Sequence, residues 1–228
     1  LKEGICNIVL TQSGNNIFEK ADPIFITIQV NRKIQYLDIN MPSKLAFSDT
    51  MPFYSVASSG LPISFKISDP SIIKIEDNRL VALKPGSAIV EVTQVGNREY
   101  LPSSYYTQSV SVVKSTQKIF DFVCPTELAY LDKLFRLNAK STSGLPISFY
   151  STDSNVIKIK NDSAFIVSPG YCNVIAVQQG DVFYNAADNE IKYVKVLKAE
   201  QTVEFNKIGY LLYGDDPLSL NAASSSGL

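Results

Sequence analysis

A repeat of about 83 residues constrains this chain more than any other feature, because a fixed period dictates the architecture. Ser59-Gly60-Leu61-Pro62-Ile63-Ser64-Phe65 recurs letter for letter as Ser143-Gly144-Leu145-Pro146-Ile147-Ser148-Phe149, and Ser226-Gly227-Leu228 opens it a third time. Pro85-Gly86 returns as Pro169-Gly170, with Glu3-Gly4 in the earlier slot. Gln94-Val95-Gly96-Asn97 with Tyr100 matches Gln178-Gln179-Gly180-Asp181 with Tyr184, and Gln12-Ser13-Gly14-Asn15 with Phe18. Asp49, Asp132 and Asp215 align as well. These anchors hold one register, so the chain reads as a tandem array.

Two modules are complete, residues 33–115 and 116–198. Residues 1–32 read as the C-terminal half of a preceding module and 199–228 as the N-terminal half of a following one. The junctions Val113–Lys118 and Leu197–Gln201 are short, polar and free of Gly and Pro, which predicts a stiff rod with restricted angles between neighbours. Leu228 aligns with Leu61 and Leu1 with Leu83, so both ends are expected to be cut from a longer array. The partners expected from this are neighbouring modules of the same longer chain, other copies that complete the half modules, or cell-surface components.

Within a module every periodic signal is β. Ile63, Phe65 and Ile67 alternate with Ser64, Lys66 and Ser68, and Asp69-Pro70-Ser71 then breaks the strand. Short strands are predicted at Ile72–Ile75, Leu80–Leu83, Ala88–Val95 and Gln108–Val113. Their repeats fall at Val156–Ile159, Ala164–Val167, Cys172–Gln179 and Ile191–Leu197. The first strands are expected at Ile34–Ile39 and Ile119–Val123. No 3.6-residue stripe survives these breaks. About seven short strands in some 80–85 residues describe tandem immunoglobulin-like β-sandwiches, an all-β fold.

Composition removes several function classes. The 228 residues carry 21 Lys+Arg against 22 Asp+Glu, a net charge of −1, which does not suit nucleic acid. With His 0, His-based triads and His-containing zinc sites are excluded, and Trp 0 removes the best stacking platform for sugars. No apolar run approaches the ~20 residues of a membrane-spanning helix. No catalytic residue, metal ligand or cofactor site is predicted.

The remaining candidates have structural readings. Asp49, Asp132 and Asp215 sit in turns with few acidic neighbours, so backbone capping is expected before calcium; Asp69, Asp153 and Asp162 read the same way. Cys6 and Cys172 share the slot that Ala88 fills in the middle module, a small buried strand site. Cys124 and Cys172 are a candidate disulfide pair within one module. The middle module manages with Met41 and Ala88 in those slots, so free core thiols are the preferred reading. Ser115-Thr116-Gln117-Lys118 has the Ser-x-x-Lys spacing of penicillin-binding enzymes, but it lies at a junction with no Lys-Thr-Gly. Tyr100 and Tyr184 follow Gly-containing turns and are expected to fold back over the sandwich end. Tyr105-Tyr106 reads as an edge-strand aromatic doublet.

Tyr213-Gly214-Asp215, Ala222–Leu228, the Ser-Gly-Leu-Pro-Ile-Ser-Phe segments and Gln94…Gly96-Asn97…Tyr100 resemble the MBG domain, an immunoglobulin-like repeat of large Bacteroidota surface proteins. Ser68–Ile75 leading to Pro85–Val90 is similar to the group 2 bacterial Ig-like modules of intimin-type adhesins. Phe47-Ser48-Asp49 and Tyr130-Leu131-Asp132 depart from the Tyr-Gly-Asp form. The resemblance implies a non-enzymatic extracellular segment, the stalk or filament shaft of a cell-surface adhesin. The alternative is a module that grips a glycan or protein with loops at the sandwich end. Asp49-Thr50-Met51 and Asp162-Ser163-Ala164 resemble the O-glycosylation signal of Bacteroidota, which makes Thr50 and Ser163 candidate sugar sites. Asn161-Asp162-Ser163 is also an N-x-Ser sequon.

Overall fold

A computed structural model describes residues 2–228; Leu1, the first residue of the 1–32 segment, lies outside the described residues. The chain is all-β. Strands β1 (Gly4–Leu10) and β2 (Ile24–Val30) precede nine strands of the first module: β3 (Leu37–Asn40), β4 (Lys44–Ala46), β5 (Thr50–Pro52), β6 (Tyr54–Ala57), β7 (Ser64–Ile67), β8 (Ile73–Glu76), β9 (Arg79–Ala82), β10 (Gly86–Thr93) and β11 (Tyr106–Val113). The second module repeats them as β12 (Ile119–Val123), β13 (Glu127–Ala129), β14 (Leu134–Arg136), β15 (Asn138–Ser141), β16 (Ser148–Ser151), β17 (Ile157–Lys160), β18 (Ser163–Ile166), β19 (Gly170–Val177) and β20 (Glu190–Leu197). A 3-10 turn, Tyr130–Asp132, follows β13, and β21 (Val203–Phe205) pairs with β22 (Ala222–Ser224). Two compact units result. The first runs through Ser115 and includes Asp181–Asn185; the second comprises Thr116–Gly180 and Ala186–Leu228.

In the first unit one layer is the four-stranded sheet β4-β11-β10-β7. Facing it are the pair β3-β6 and the trio β5-β9-β8. Alternation drives the burial: Ala88, Val90 and Val92 of β10 and Val110 and Val112 of β11 point inward, at most 3% exposed. They meet Leu45, Ile73, Leu80, Ala82 and Phe53, and the Phe53 ring stands edge-on to Phe65 at 5.5 Å. The Asp77-Asn78 turn between β8 and β9 has both residues at positive φ (48° and 56°), the twist-compatible two-residue hairpin that Asp and Asn tolerate.

The second unit has the same plan, with β13-β20-β19-β16 against β12-β15 and β14-β18-β17. Its core gathers Leu137, Val156, Ile157, Ala164, Cys172, Val174, Val194 and Val196, with Phe122 and Phe149 stacked at 5.8 Å. In both units the chain's early short strand lies parallel to the last one: Leu45 opposite Val112, and Leu128 opposite Val196.

The structure departs from the sequence reading in the number of strands and at Cys6. A module has nine strands, not seven, because β4, β5 and β6 are three- and four-residue pieces too short to show a period. Cys6 is exposed, not buried: β1 pairs only with β2, and Ile5, Val9 and Phe25 on that hairpin are about half exposed or more.

Candidate functional site

The feature that recurs with identical chemistry is the Gln-x-Gly-Asx loop. In each copy the Gln Oε1 accepts the Gly backbone N–H: Gln12 from Gly14 (2.7 Å), Gln94 from Gly96 (2.5 Å) and Gln178 from Gly180 (2.5 Å). The Asx Oδ1 then accepts two successive N–H groups: Asn15 from Ile17 and Phe18, Asn97 from Glu99 and Tyr100, and Asp181 from Phe183 and Tyr184. The Asx N–H closes the loop on the carbonyl of Phe18, Tyr100 or Tyr184. Glycine is required here. At Gly96 (φ +75°) a Cβ would lie 2.5 Å from the Tyr100 carbonyl oxygen.

A buried glutamine pair anchors the second and third loops. Gln35 and Gln94 are 2% and 5% exposed, and the Gln35 amide nitrogen donates to Gln94 Oε1 and to the Leu101 carbonyl, both at 2.6 Å. Ser59 of the Ser-Gly-Leu-Pro motif donates to Gln35 Oε1. Gln117, Gln178 and Ser143 repeat this arrangement in the second unit, and Ser226 donates to Gln201. Gln94 and Gln178 stand out in the sequence as repeat anchors, whereas their partners do not. Gln35, Gln117 and Gln201, also one period apart, were the available signal.

The second and third loops each hook the segment that leads into a module. Tyr100 bridges Lys33 in parallel, with Lys33 N–H donating to Glu99 and Leu101 N–H to Lys33; the Lys33 ammonium lies 5.6 Å from the Tyr100 ring centre. Tyr184 does the same to Ser115, whose N–H donates to Phe183 and whose carbonyl accepts from Asn185. The segment Asp181–Asn185 therefore belongs to the first unit. There Phe47, from the Phe-Ser-Asp motif, packs on Phe183 at 4.7 Å and edge-on to Tyr184 at 5.5 Å. Ser115 Oγ donates to the Phe47 carbonyl and Lys114 Nζ to that of Asp181. The tyrosines expected to fold over a sandwich end instead pair with these entering strands, because their backbone groups find open partners there.

The other candidates lie apart from this clasp. Asp49, Asp132 and Asp215 accept N–H bonds from Ala46, Ala129 and Leu212 at 2.7–2.8 Å, so each carboxylate closes its own turn. Ser71 holds Asp69 below the usual carboxylate range by hydrogen bonding, and Ser163, helped by Arg136, does so for Asp162. Asp153 accepts from the Asn155 N–H. Ser115 Oγ is committed to Phe47, so the Ser-x-x-Lys spacing assembles no nucleophile. Tyr105 is exposed and hydrogen-bonded to Glu91, which raises its pKa, whereas Tyr106 packs on the core. Thr50 is exposed on β5; Ser163 is half-buried, with Oγ donating to Asp162 at 3.1 Å beside the exposed Asn161. Among the described residues no three His, Cys, Asp or Glu side chains come together to hold a metal, and no helix is long and apolar enough to cross a membrane.

No protein-family model matches the chain, and no curated protein matches it. It is similar to solved tandem ectodomains. Drosophila N-cadherin EC1-4 shares 12% identity over 97% of this chain and 67% of that one, with a TM-score of 0.30. The D00-D0 domain of intimin shares 13% over 69% and 98%, and the human desmocollin-1 ectodomain 12% over 93% and 50%, each with a TM-score of 0.27. Scores this low leave function to be argued from the residues.

All three thiols are free. Cys172 is 5% exposed, and the half-buried Cys124 is pushed up to about 11, chiefly by burial and then by the nearby Cys172. Burial raises Cys172 also. Thiolate is the reactive form and a raised pKa removes it at neutral pH. A thiol reagent at pH 7.5 is therefore expected to label Cys6 promptly and Cys124 and Cys172 only on unfolding. Rapid labelling of Cys172 in the native chain contradicts this.

Proposed function

We propose that this chain is a non-enzymatic, extracellular stalk or filament-shaft segment of a cell-surface adhesin, built from modules at residues 33–115 and 116–198. The MBG and group 2 bacterial Ig-like resemblance supports this assignment, as does the near-zero net charge of −1. The observation that carries it is the clasp. A loop of the second repeat, Asp181–Asn185, is held inside the first unit by Ser115 backbone pairing and by Phe47. The clasp builds a piece of one repeat into the compact unit of the repeat before it, which suits a tandem array better than a solitary ligand-binding module.

Hydrogen exchange at the Ser115 and Asn185 amides tests the reading. Both should be protected in the native chain and should exchange at least tenfold faster in Phe47→Ala with Phe183→Ala. Native amides that exchange as freely as the variant's contradict it.

A further inference from the structure

The two units wear different surfaces at the same positions. On the outward rows of β16, β19 and β20 stand Tyr150, Tyr171, Ile175, Ile191 and Tyr193. The matching positions of the first unit hold Lys66, Ser87, Glu91, Thr107 and Ser109, with Lys66 and Glu91 ion-paired at 3.4 Å. The contrast is not complete, since Ile89 stands in the first unit where the second has Asn173. The fold is thus satisfied by charge and hydroxyls at these positions, and nothing in its own packing demands three tyrosines. Tyr150, Tyr171, Tyr193 and Ile191 are 52%, 58%, 57% and 56% exposed. Together they present roughly 500 Å² of mainly apolar surface, at the upper end of what a solitary soluble protein shows.

We propose that this face of the second unit is a self-association surface, paired with the same face of a second copy about a two-fold axis. Three observations select that occupant. The residue exchange runs from types depleted at interface cores (Lys, Glu, Ser) to the type enriched there (Tyr). The charged side chains on the outward rows, Lys195 and Glu127, satisfy each other at 3.4 Å, so the face offers no net charge to an acidic or basic partner and suits a neutral apolar sheet like itself. Two such faces would bury about 1,000 Å², the threshold for a weak specific pair. A sugar platform is less favoured, because the Tyr171 and Tyr193 rings lie against each other at 5.8 Å and 23°, so that each turns one face to its neighbour, and Trp, the best sugar-stacking side chain, is absent.

The test is sedimentation velocity of the full chain from about 5 to about 500 µM, the range in which a weak interface dissociates. The native chain should shift from monomer to dimer. The variant Tyr150→Lys/Tyr171→Ser/Ile175→Glu/Tyr193→Ser carries the first unit's own residues, and it should keep the native circular dichroism and associate at least tenfold more weakly. Tyr171→Ser alone should weaken pairing at least threefold, which keeps the proposal testable if the fourfold variant misfolds. A native chain monomeric throughout, or association unchanged in the folded variants, overturns it; the second result would place pairing on another surface, such as the exposed β1-β2 hairpin.

Discussion

Ile73→Ala is expected to destabilise the first unit by about 2–5 kcal/mol and to leave the second nearly untouched; Ile157→Ala should do the reverse. Both side chains are fully buried and occupy one repeat position, each at the centre of its own core. Truncation removes most of a branched side chain from a closely packed layer and leaves a cavity that short strands cannot collapse to fill. Since a domain's whole stability is only about 5–15 kcal/mol, either change should be plain in urea. Hydrogen exchange assigns the loss: Ile73→Ala should deprotect β10 and β11 amides while β19 and β20 keep their protection. If either substitution opens both sets equally, the units share one cooperative core and the division drawn above is wrong.

Gln94→Leu should lower stability by about 2–3 kcal/mol, although leucine is the more hydrophobic residue. The half-buried Gly96 N–H and one donor of the buried Gln35 would lose that acceptor, and leaving a buried partner unsatisfied costs more than a hydrogen bond contributes. Gln178→Leu repeats the loss in the second unit. The double variant Gln35→Leu/Gln94→Leu should recover part of it, because both ends of one bond are then removed together. Chemical denaturation of the native chain, Gln35→Leu, Gln94→Leu and the double variant gives the coupling directly. A neutral Gln94→Leu would mean that water replaces the latch without penalty.

These glutamines mark the limit of what the sequence disclosed. Strict alternation in Ile63, Phe65 and Ile67, and turn formers such as Asp69-Pro70-Ser71, announced the sandwich because strand burial and turn geometry are local properties. The identity of Gln35's partner is not local; it emerges only when β3 and the end of β10 meet. The same holds for Tyr100 and Tyr184, whose position after a Gly turn was legible while the strand each one hooks was not. Three-residue strands such as Lys44–Ala46 have no period to read, since their existence depends on β11 arriving beside them. The tyrosine face escaped for another reason. Tyr171 and Tyr193 obey the strand alternation, but only the pairing of β19 with β20 shows them side by side on the solvent face.

The side-by-side, same-direction pairing of β4 with β11, and of β13 with β20, matters once the chain is pulled. These strands lie near opposite ends of each module's sequence. Tension applied through the neighbouring chain draws them past one another along their length, so the inter-strand hydrogen bonds are loaded together in shear. A hairpin pulled at its open end instead unzips one bond at a time. Rupture must then break several bonds in one event, and the lifetime of the folded module under load is governed by its unfolding barrier more than by its equilibrium stability. A few residues around Leu45 and Leu128 thereby set the force that a tether of such modules can bear before it yields.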